Sequence, residues 1–350
     1  MAESNAFKQL EEKDIVSTRT LLHEAIPLTG TILSGTYADT NINNPPHAMF
    51  QSVYDYSYLS SSANHIFDIT VGVSTASTLY PNVTTAGQQT KKKNIYNQMS
   101  QILVGYDATG SVLHFDKDGD LTGGDKYEDV LIIPFSRLLV KDEIKKGTFS
   151  MTLGVTEAYA TPFTDTIEIT DASGSDQYYV NSPVGEYGIL YGSGSAMDVD
   201  KSAVGLLYYQ AGIAVLTKDV FSGSLGSKDV DMDGNTVYIN DLLTGSTNTA
   251  IADSLRHRTQ NIQFNNTTEL NSTIYFCRAN HNEFNYSTNP SYVDGSKIRV
   301  KTNSTDEPVS YITTIGLYND DNQLLATAKL SEPLKKSPST EFTLRCRLDY

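Results

Sequence analysis

The residue pattern with the clearest chemical potential is a run of three aspartates at alternate positions, Asp229, Asp231 and Asp233. With the following Gly234 they match the first half of an EF-hand loop, in which alternating carboxylates bind calcium and a glycine permits a tight bend. The glutamate that should close the loop as a bidentate ligand is replaced by Asn240, and no convincing helix pattern flanks the segment. The three aspartates are therefore an incomplete candidate for a metal site.

The same segment can also be explained as a turn. Asp-Gly-Asn lies between Val230 and Val237, and such sequences favour the tight turns that join the two strands of a β-hairpin. The sequence favours the hairpin and leaves calcium binding as the alternative, because neighbouring carboxylates repel one another unless a cation or solvent screens them. The related run Asp116–Asp120 (DKDGD) has its glycine one position earlier and matches the calcium loop less well.

Motifs for nucleophilic catalysis and for nucleotide binding are missing from the sequence. Gly72–Ala76 lacks the second glycine of a GxSxG nucleophile elbow and lies in a predicted strand. Neither GxxxxGK[ST] nor GxGxxG followed by a helix occurs, and His23-Glu24 is not completed to HExxH. We therefore predict no catalytic residues, no bound cofactor and no enzymatic activity.

The composition excludes several classes of partner. The chain contains 41 acidic and 26 basic residues, which gives a formal net charge of −15. Because nucleic-acid affinity depends on Lys and Arg that displace counterions, we predict no nucleic-acid partner. The apolar runs are much shorter than the roughly 20 residues that cross a bilayer, so we predict no membrane partner. The N-terminus carries acids where a signal peptide has basic residues, and we expect folding in the compartment of synthesis.

Cysteine and tyrosine usage gives two further indications. Cys277 and Cys346 lack the CxxC or Cys/His spacing of a metal site. Cys346 lies on the apolar face of a predicted strand, so we expect buried thiols rather than a disulfide. The chain has 22 Tyr and no Trp. Tyrosine is enriched on strands and at protein–protein contacts, which is typical of proteins that assemble.

The alternation of apolar and polar residues predicts a mainly β fold, with antiparallel sandwich- or barrel-like domains and two or three short helices. The clearest helix pattern is at 93–104, where Ile95, Met99, Ile102 and Leu103 share one side. Further helical turns are predicted at 141–146 and 250–258. The predicted strands are 67–73, 130–135, 149–155, 166–170, 187–191, 203–209, 212–217, 235–239, 272–278, 297–301, 310–318, 323–330 and 341–348.

Four regions are predicted along the chain. They are an N-terminal arm or extended segment at 1–60, a β-rich domain at 61–220 with one helix near 93–104, a connecting region at 221–262, and a C-terminal all-β domain at 263–350. The first region carries apolar residues that an isolated arm could not hide, so we expect it to reach onto a neighbouring molecule. The alternative is that it folds back on its own domain.

Five segments of the chain resemble virion structural proteins of large tailed bacteriophages, especially T4-like marine and cyanobacterial myophages. They are MFQSVYDYSYLSSSANHIFDITVGVS at 49–74, NIYNQM at 94–99, FSRLLVKDEIKKGTFSMTLG at 135–154, the segment from IYFCRANHNEF to KIRVK at 274–301, and YITTIGLYNDDNQLLATAKLSEPLKK at 311–336. The similarity touches most of the chain. The resemblance implies that the chain is a part of the virion, and it implies no catalytic residues.

The resemblance implies a non-catalytic structural protein of the virion that is synthesised in the host cytoplasm. We expect it in the tail or baseplate, with a capsid, neck or collar position as the alternative. The implied partners are other virion structural proteins and further copies of the chain in a symmetric ring or sleeve. A receptor- or glycan-binding module of the adsorption apparatus is the competing interpretation. Surface aromatics converging on a groove would support that module, although Trp, the usual sugar platform, is missing.

Overall fold

The computed structural model describes residues 7–27, 39–80, 86–156, 163–194, 202–222, 230–232, 237–287, 292–294, 297–298, 303 and 305–350. Over these ranges the protein is mainly β with four α-helices, as the alternation of apolar and polar residues predicts. Neighbouring strands pair antiparallel. The predicted fold class is therefore confirmed.

The strands are β1 (Ile15–Pro27), β2 (Ile42–Asn43), β3 (Gln51–Tyr54), β4 (His65–Val73), β5 (Phe115–Asp116), β6 (Lys126–Tyr127), β7 (Asp129–Pro134), β8 (Glu143–Ile144), β9 (Ser150–Gly154), β10 (Thr166–Thr170), β11 (Tyr179–Ser182), β12 (Gly185–Ser193), β13 (Ser202–Tyr208), β14 (Ile213–Thr217), β15 (Thr259–Ala279), β16 (Val293–Asp294), β17 (Lys297–Ile298), β18 (Ser310–Tyr318), β19 (Leu324–Lys336) and β20 (Phe342–Asp349). The helices are α1 (Ala86–Leu103), α2 (Arg137–Val140), α3 (Ile239–Gly245) and α4 (Asn248–Arg258).

Three elements differ from their prediction. The helical turn predicted at 141–146 is wrong, because Glu143 and Ile144 form strand β8, which pairs with β15. Helix α1 begins at Ala86 rather than near residue 93, because its first turns carry no apolar side chain that would reveal the period. The predicted strand at 235–239 is wrong where the structure describes it. Ile239 begins α3, and it is buried together with Leu242 and Leu243 at helical spacing.

The chain forms two compact units that the predicted boundaries do not match. The larger unit is Leu22–Thr268, and the smaller unit combines Met1–Leu21 with Glu269–Tyr350. The predicted boundaries at 60/61, 220/221 and 262/263 fall inside the larger unit. The predicted arm supplies β2 and β3, which pair on to β4, and the predicted connecting region supplies the buried helix α4. Strands β2 and β3 of the predicted arm and helix α4 of the predicted connecting region are therefore parts of the larger unit, whereas residues 1–21 of the arm belong to the smaller unit.

Strand β7, inside the sheet of the larger unit, is buried on both faces. The strands of this sheet follow the order β15-β9-β10-β12-β13-β14-β7-β4-β3-β2. On β7, Val130 and Ile132 belong to one apolar cluster, which Tyr96 of α1 joins. Leu131 and Ile133 belong to a second cluster on the other face, to which α3 and α4 contribute. Because β7 is covered on both faces, it is a continuous apolar run rather than an alternating one.

The sheet of the larger unit curves back over one of its faces. The ring centroid of Phe135 lies 6.4 Å from Phe67 on β4, 5.9 Å from Phe149 and 5.4 Å from Phe264 on β15. Strands β4 and β15 are far apart in the strand order. Their contact with one phenylalanine gives the unit the sandwich-like interior that the sequence predicts.

A buried lysine connects two helices of the larger unit. Lys92 on α1 is almost fully buried, and its Nζ donates hydrogen bonds to the carbonyl oxygens of Leu243 at 2.6 Å and Ser246 at 2.8 Å. These carbonyls lie at the C-terminal end of α3, where a helix leaves acceptors unpaired and favours a cation. Burial lowers the pKa of Lys92 to about 8.

In the smaller unit, the C-terminal half of β15 pairs antiparallel with β20. There Tyr275 lies opposite Cys346 of β20, and Cys277 lies opposite Leu344. Both cysteines are free thiols, with Cys346 buried and Cys277 half-buried, so the prediction for Cys346 is confirmed. Strands β18 and β19 pair with each other and form a separate two-stranded sheet.

Candidate functional site

The structure brings together the acidic run that matches the calcium loop less well. Asp116, Asp118 and Asp120 each offer a carboxylate oxygen, and these oxygens all lie within 4.8 Å of one another. Asp116 is the last residue of β5, which pairs with β6, so the three carboxylates lie in the loop between the two short strands. The loop belongs to the larger unit.

Backbone contacts hold this loop in its shape. Gly119 has a φ of +82°, and a Cβ at this position would lie 2.7 Å from the ring of Tyr179. The carbonyl oxygen of Gly119 accepts hydrogen bonds from Asn181 Nδ2 at 2.9 Å and from the Tyr187 hydroxyl at 3.1 Å. Glycine is therefore required both by the backbone conformation and by the close approach of β11 and β12.

The charge of Asp116 is already compensated within the protein. Its buried carboxylate accepts hydrogen bonds from Lys126 Nζ at 2.7 Å and from the Leu121 amide at 2.6 Å. Burial acts to raise the pKa of Asp116, but Lys126 and the Leu121 amide outweigh it and hold the pKa below its usual value. Asp118 and Asp120 are exposed. Carboxylate oxygens of this kind suit calcium. Here, however, the Asp116 carboxylate already accepts hydrogen bonds from Lys126 and from the Leu121 amide.

A shallow depression of about 390 Å³ lies beside the acidic loop. Its lining combines charged, aromatic and aliphatic side chains, namely Lys117, Asp118, Asp125, Tyr179, Ile189, Tyr191 and Ala203. Tyr179 stacks on Tyr187 with ring centroids 5.4 Å apart, which fixes one aromatic wall. A concave surface with aromatic faces and a few polar groups is the usual form of a small-molecule site.

The structure does not test the first aspartate run as a metal site. Asp229 and Asp233 lie outside the described residues. The Asp231 carbonyl accepts a hydrogen bond from the guanidinium of the buried Arg258. The Met232 amide donates to the Val237 carbonyl at 2.9 Å, which is compatible with a turn. Both the hairpin and the calcium alternative therefore remain predictions.

Ser74, His114 and Glu128 lie next to one another, but their arrangement differs from that of a catalytic triad. His114 Nδ1 lies 2.9 Å from Glu128 Oε1. Burial acts to raise the pKa of Glu128, but hydrogen bonds from His114 and Ser74 outweigh it and keep the pKa below its usual value. In a triad the imidazole lies between the hydroxyl and the carboxylate. Here the carboxylate lies between them, so this group does not prepare Ser74 for attack.

Sequence reasoning ranked the two aspartate runs by their match to an EF-hand loop. The signal that favours Asp116–Asp120 is local: a short strand precedes the run, Gly123 and Gly124 follow it, and Lys126 supplies a cation. The tyrosines of the depression could not be found in this way, because Tyr179 and Tyr191 come from β11 and β12, far along the chain.

No protein family, curated protein or solved structure that we searched matches this chain. Within the described ranges, the helices lack the combination of length and apolar character that a membrane span requires. Function must therefore be argued from the chain's own geometry and from the segments that resemble phage proteins.

Proposed function

We propose that this protein is a non-catalytic structural component of a tailed-bacteriophage virion. Its place is in the tail or baseplate, where it assembles with copies of itself and with neighbouring virion proteins after synthesis in the host cytoplasm. Capsid and neck are the alternative positions. The five segments that resemble virion proteins support this proposal, and they lie in both compact units.

The observation that carries the proposal is the small number of buried apolar side chains among the described residues of the smaller unit. Among its described apolar residues, three are buried, namely Ala279, Val309 and Cys346. Both large apolar clusters are built from residues of the larger unit. Twelve large apolar side chains of the smaller unit are exposed, namely Phe7, Ile15, Val16, Leu21, Leu270, Phe284, Tyr286, Tyr311, Tyr318, Leu324, Leu325 and Tyr350.

A sheet needs an apolar face covered by other elements to be stable, and an isolated two-stranded hairpin is marginal in water. Exposed apolar side chains that lie side by side mark a contact with another molecule, and Tyr318, Leu324 and Leu325 lie together at one end of the β18–β19 pair. A protein that works inside a large assembly has such contacts on several sides. The smaller unit is therefore the part of the chain that we assign to assembly.

Mass spectrometry of purified particles tests the proposal. Particles of the phage that encodes this chain are purified by density gradient, and peptides of the chain are quantified against known tail and capsid proteins of the same particle. We expect a constant number of copies per particle that follows the tail fraction when heads and tails are separated. Peptides found in the lysate and missing from washed particles would contradict the proposal.

A glycan-binding module is the second candidate, and the depression beside the acidic loop is the observation that favours it. Tyr179 and Tyr191 offer ring faces, and Asp118 and Asp125 offer acceptors for sugar hydroxyls. A glycan array with the full chain tests this function. We expect binding to be lost in Tyr191→Ala and kept in Tyr238→Ala, which removes an exposed tyrosine elsewhere in the same unit. An array without any bound glycan would remove this candidate.

A further inference from the structure

Strands β18 and β19 form a ribbon whose two faces differ. Across the two strands, Ile312 lies opposite Leu334, Ile315 opposite Ala328 and Leu317 opposite Ala326. These side chains are half-buried and form one face. The other face consists of exposed residues, which are Tyr311, Thr314, Gly316, Tyr318, Leu324, Thr327, Lys329 and Lys335. We call this second surface the outer face.

The end of the outer face next to the turn is strongly apolar. Leu324 is 51% exposed and Tyr318 is 45% exposed. Leu325 lies at the register shift between the Leu317 and Tyr318 pairs and is 68% exposed. The ring of Phe7 contacts Tyr318 edge-to-face with centroids 4.9 Å apart. A Cβ on Gly316 would lie 2.8 Å from the Tyr318 ring. The Tyr318 ring therefore lies close to Gly316 of its own strand and in contact with Phe7.

Charges are distributed unevenly along the ribbon. Asp320 and Asp321 lie in the turn and are exposed, whereas Lys329 and Lys335 lie toward the other end of the outer face. Glu332 is the one acidic residue between the two lysines. Within the described part of the chain, these two aspartates and two lysines form no ion pair. The ribbon is thus acidic at its turn and basic toward its base.

The net charge of the chain is also divided unequally between the units. The larger unit contains 27 acidic and 14 basic residues, whereas the smaller unit contains 14 acidic and 12 basic residues. Two copies of the larger unit repel each other at close range. Two copies of the smaller unit are almost neutral and can approach. Charge therefore favours contact between copies through the smaller unit.

We propose that the outer face of the ribbon docks on the outer face of a second copy of this chain. The two ribbons run antiparallel about a twofold axis, so that Asp320 and Asp321 of each copy lie against Lys329 and Lys335 of the other. A twofold contact uses the same surface on both copies, and a surface with opposite charges at its two ends is complementary to itself. Tyr318, Leu324 and Leu325 lose their solvent exposure in this contact.

This inference rests on the proposed function and names the self-contact that the assembly uses. A different virion protein is the competing occupant of the outer face. A foreign partner would require complementary charges of its own. The antiparallel pairing of two copies needs nothing beyond the charges that the ribbon already carries.

Sedimentation equilibrium of the purified full chain tests the inference over a wide range of concentration. We expect a monomer–dimer equilibrium. Asp320→Lys with Asp321→Lys, and separately Lys329→Glu with Lys335→Glu, should each weaken the dimer about tenfold or more, because each replaces attraction by repulsion at both ends of the contact. The variant that combines all four changes restores the opposite charges, and we expect its dimer to recover. Asp306→Lys with Glu307→Lys changes an exposed acidic pair of the same unit and should leave the dimer unchanged.

A wild-type chain that stays monomeric at all concentrations would overturn the inference. It would also be overturned if the variant with all four changes stays monomeric while its circular dichroism spectrum matches that of the wild type. The Leu325→Glu variant provides a second route, since it places a charge in the apolar part of the contact and should give a monomer with an unchanged spectrum. Mass spectrometry of particles stays independent of these results. A monomeric chain that is still found in particles overturns the ribbon contact and leaves the proposed function standing.

Discussion

The larger unit, Leu22–Thr268, and the smaller unit, Met1–Leu21 with Glu269–Tyr350, use the same kind of alternating strand but bury it differently. In the larger unit, helices and the curved sheet cover both faces of β7. In the smaller unit, the apolar side chains of β18, β19 and β20 are half-buried or exposed, except for the buried Cys346. The comparison teaches that alternation forms a strand, whereas stability depends on what covers it.

The largest expected effect comes from removing a core ring in the larger unit. Phe135→Ala removes a buried side chain that contacts three other phenylalanines. We expect the free energy of unfolding to fall by about 3–5 kcal/mol. Leu325→Ala is the comparison variant in the smaller unit, and in the dilute monomer it should alter the free energy of unfolding by less than about 0.5 kcal/mol. Urea unfolding measures both, and similar losses in the two variants would contradict the division into a filled and an unfilled unit.

The buried ammonium of Lys92 gives the next effect, and it depends on pH. Burial lowers the pKa of Lys92 to about 8 in the folded chain, while an unfolded lysine titrates near its ordinary value of about 10.4. Between these values the unfolded chain binds more protons, so the stability of the wild type rises with pH. We expect a gain on the order of 1–3 kcal/mol relative to Lys92→Met across this window. A difference between the two proteins that stays constant with pH would contradict the assignment.

An effect of similar size is expected in the acidic loop. Gly119→Ala forces a Cβ to within 2.7 Å of the Tyr179 ring at a φ of +82°. Gly123→Ala meets nothing within 4 Å and keeps only the strain of its φ of +52°. We expect losses of about 2–3 kcal/mol and about 1 kcal/mol respectively. Thermal unfolding measures the pair, and equal losses would mean that β11 does not hold the loop.

The sequence was informative where a pattern is local. The alternation at 67–73 predicts β4, and the apolar run at 130–135 predicts β7. Ile102 shares the apolar side of the predicted helix, yet it is half-exposed, because α1 ends at the next residue and its last turn is only partly covered. A local pattern predicts that a helix or strand forms, but it does not show which residues pack against it.

The rest depends on contacts between residues far apart in the chain. The unit boundaries follow from the pairing of β1 with β15, which no local pattern shows. The depression beside the acidic loop needs Tyr179 and Tyr191 from strands that follow the loop by many residues. The aspartates of this loop were visible in the sequence, but the buried ion pair between Asp116 and Lys126 was not.

Hydrogen–deuterium exchange of the full chain tests the central claim most directly. The purified chain is measured at a dilution where sedimentation shows a monomer, and the same peptides are measured in particles. We expect amides of β7, β13 and β14 to exchange about a hundredfold more slowly than amides of β18 and β19 in the monomer, because the larger unit opens only with its core. In particles, β18 and β19 should become protected. Equal protection of both units in the dilute monomer would contradict the account.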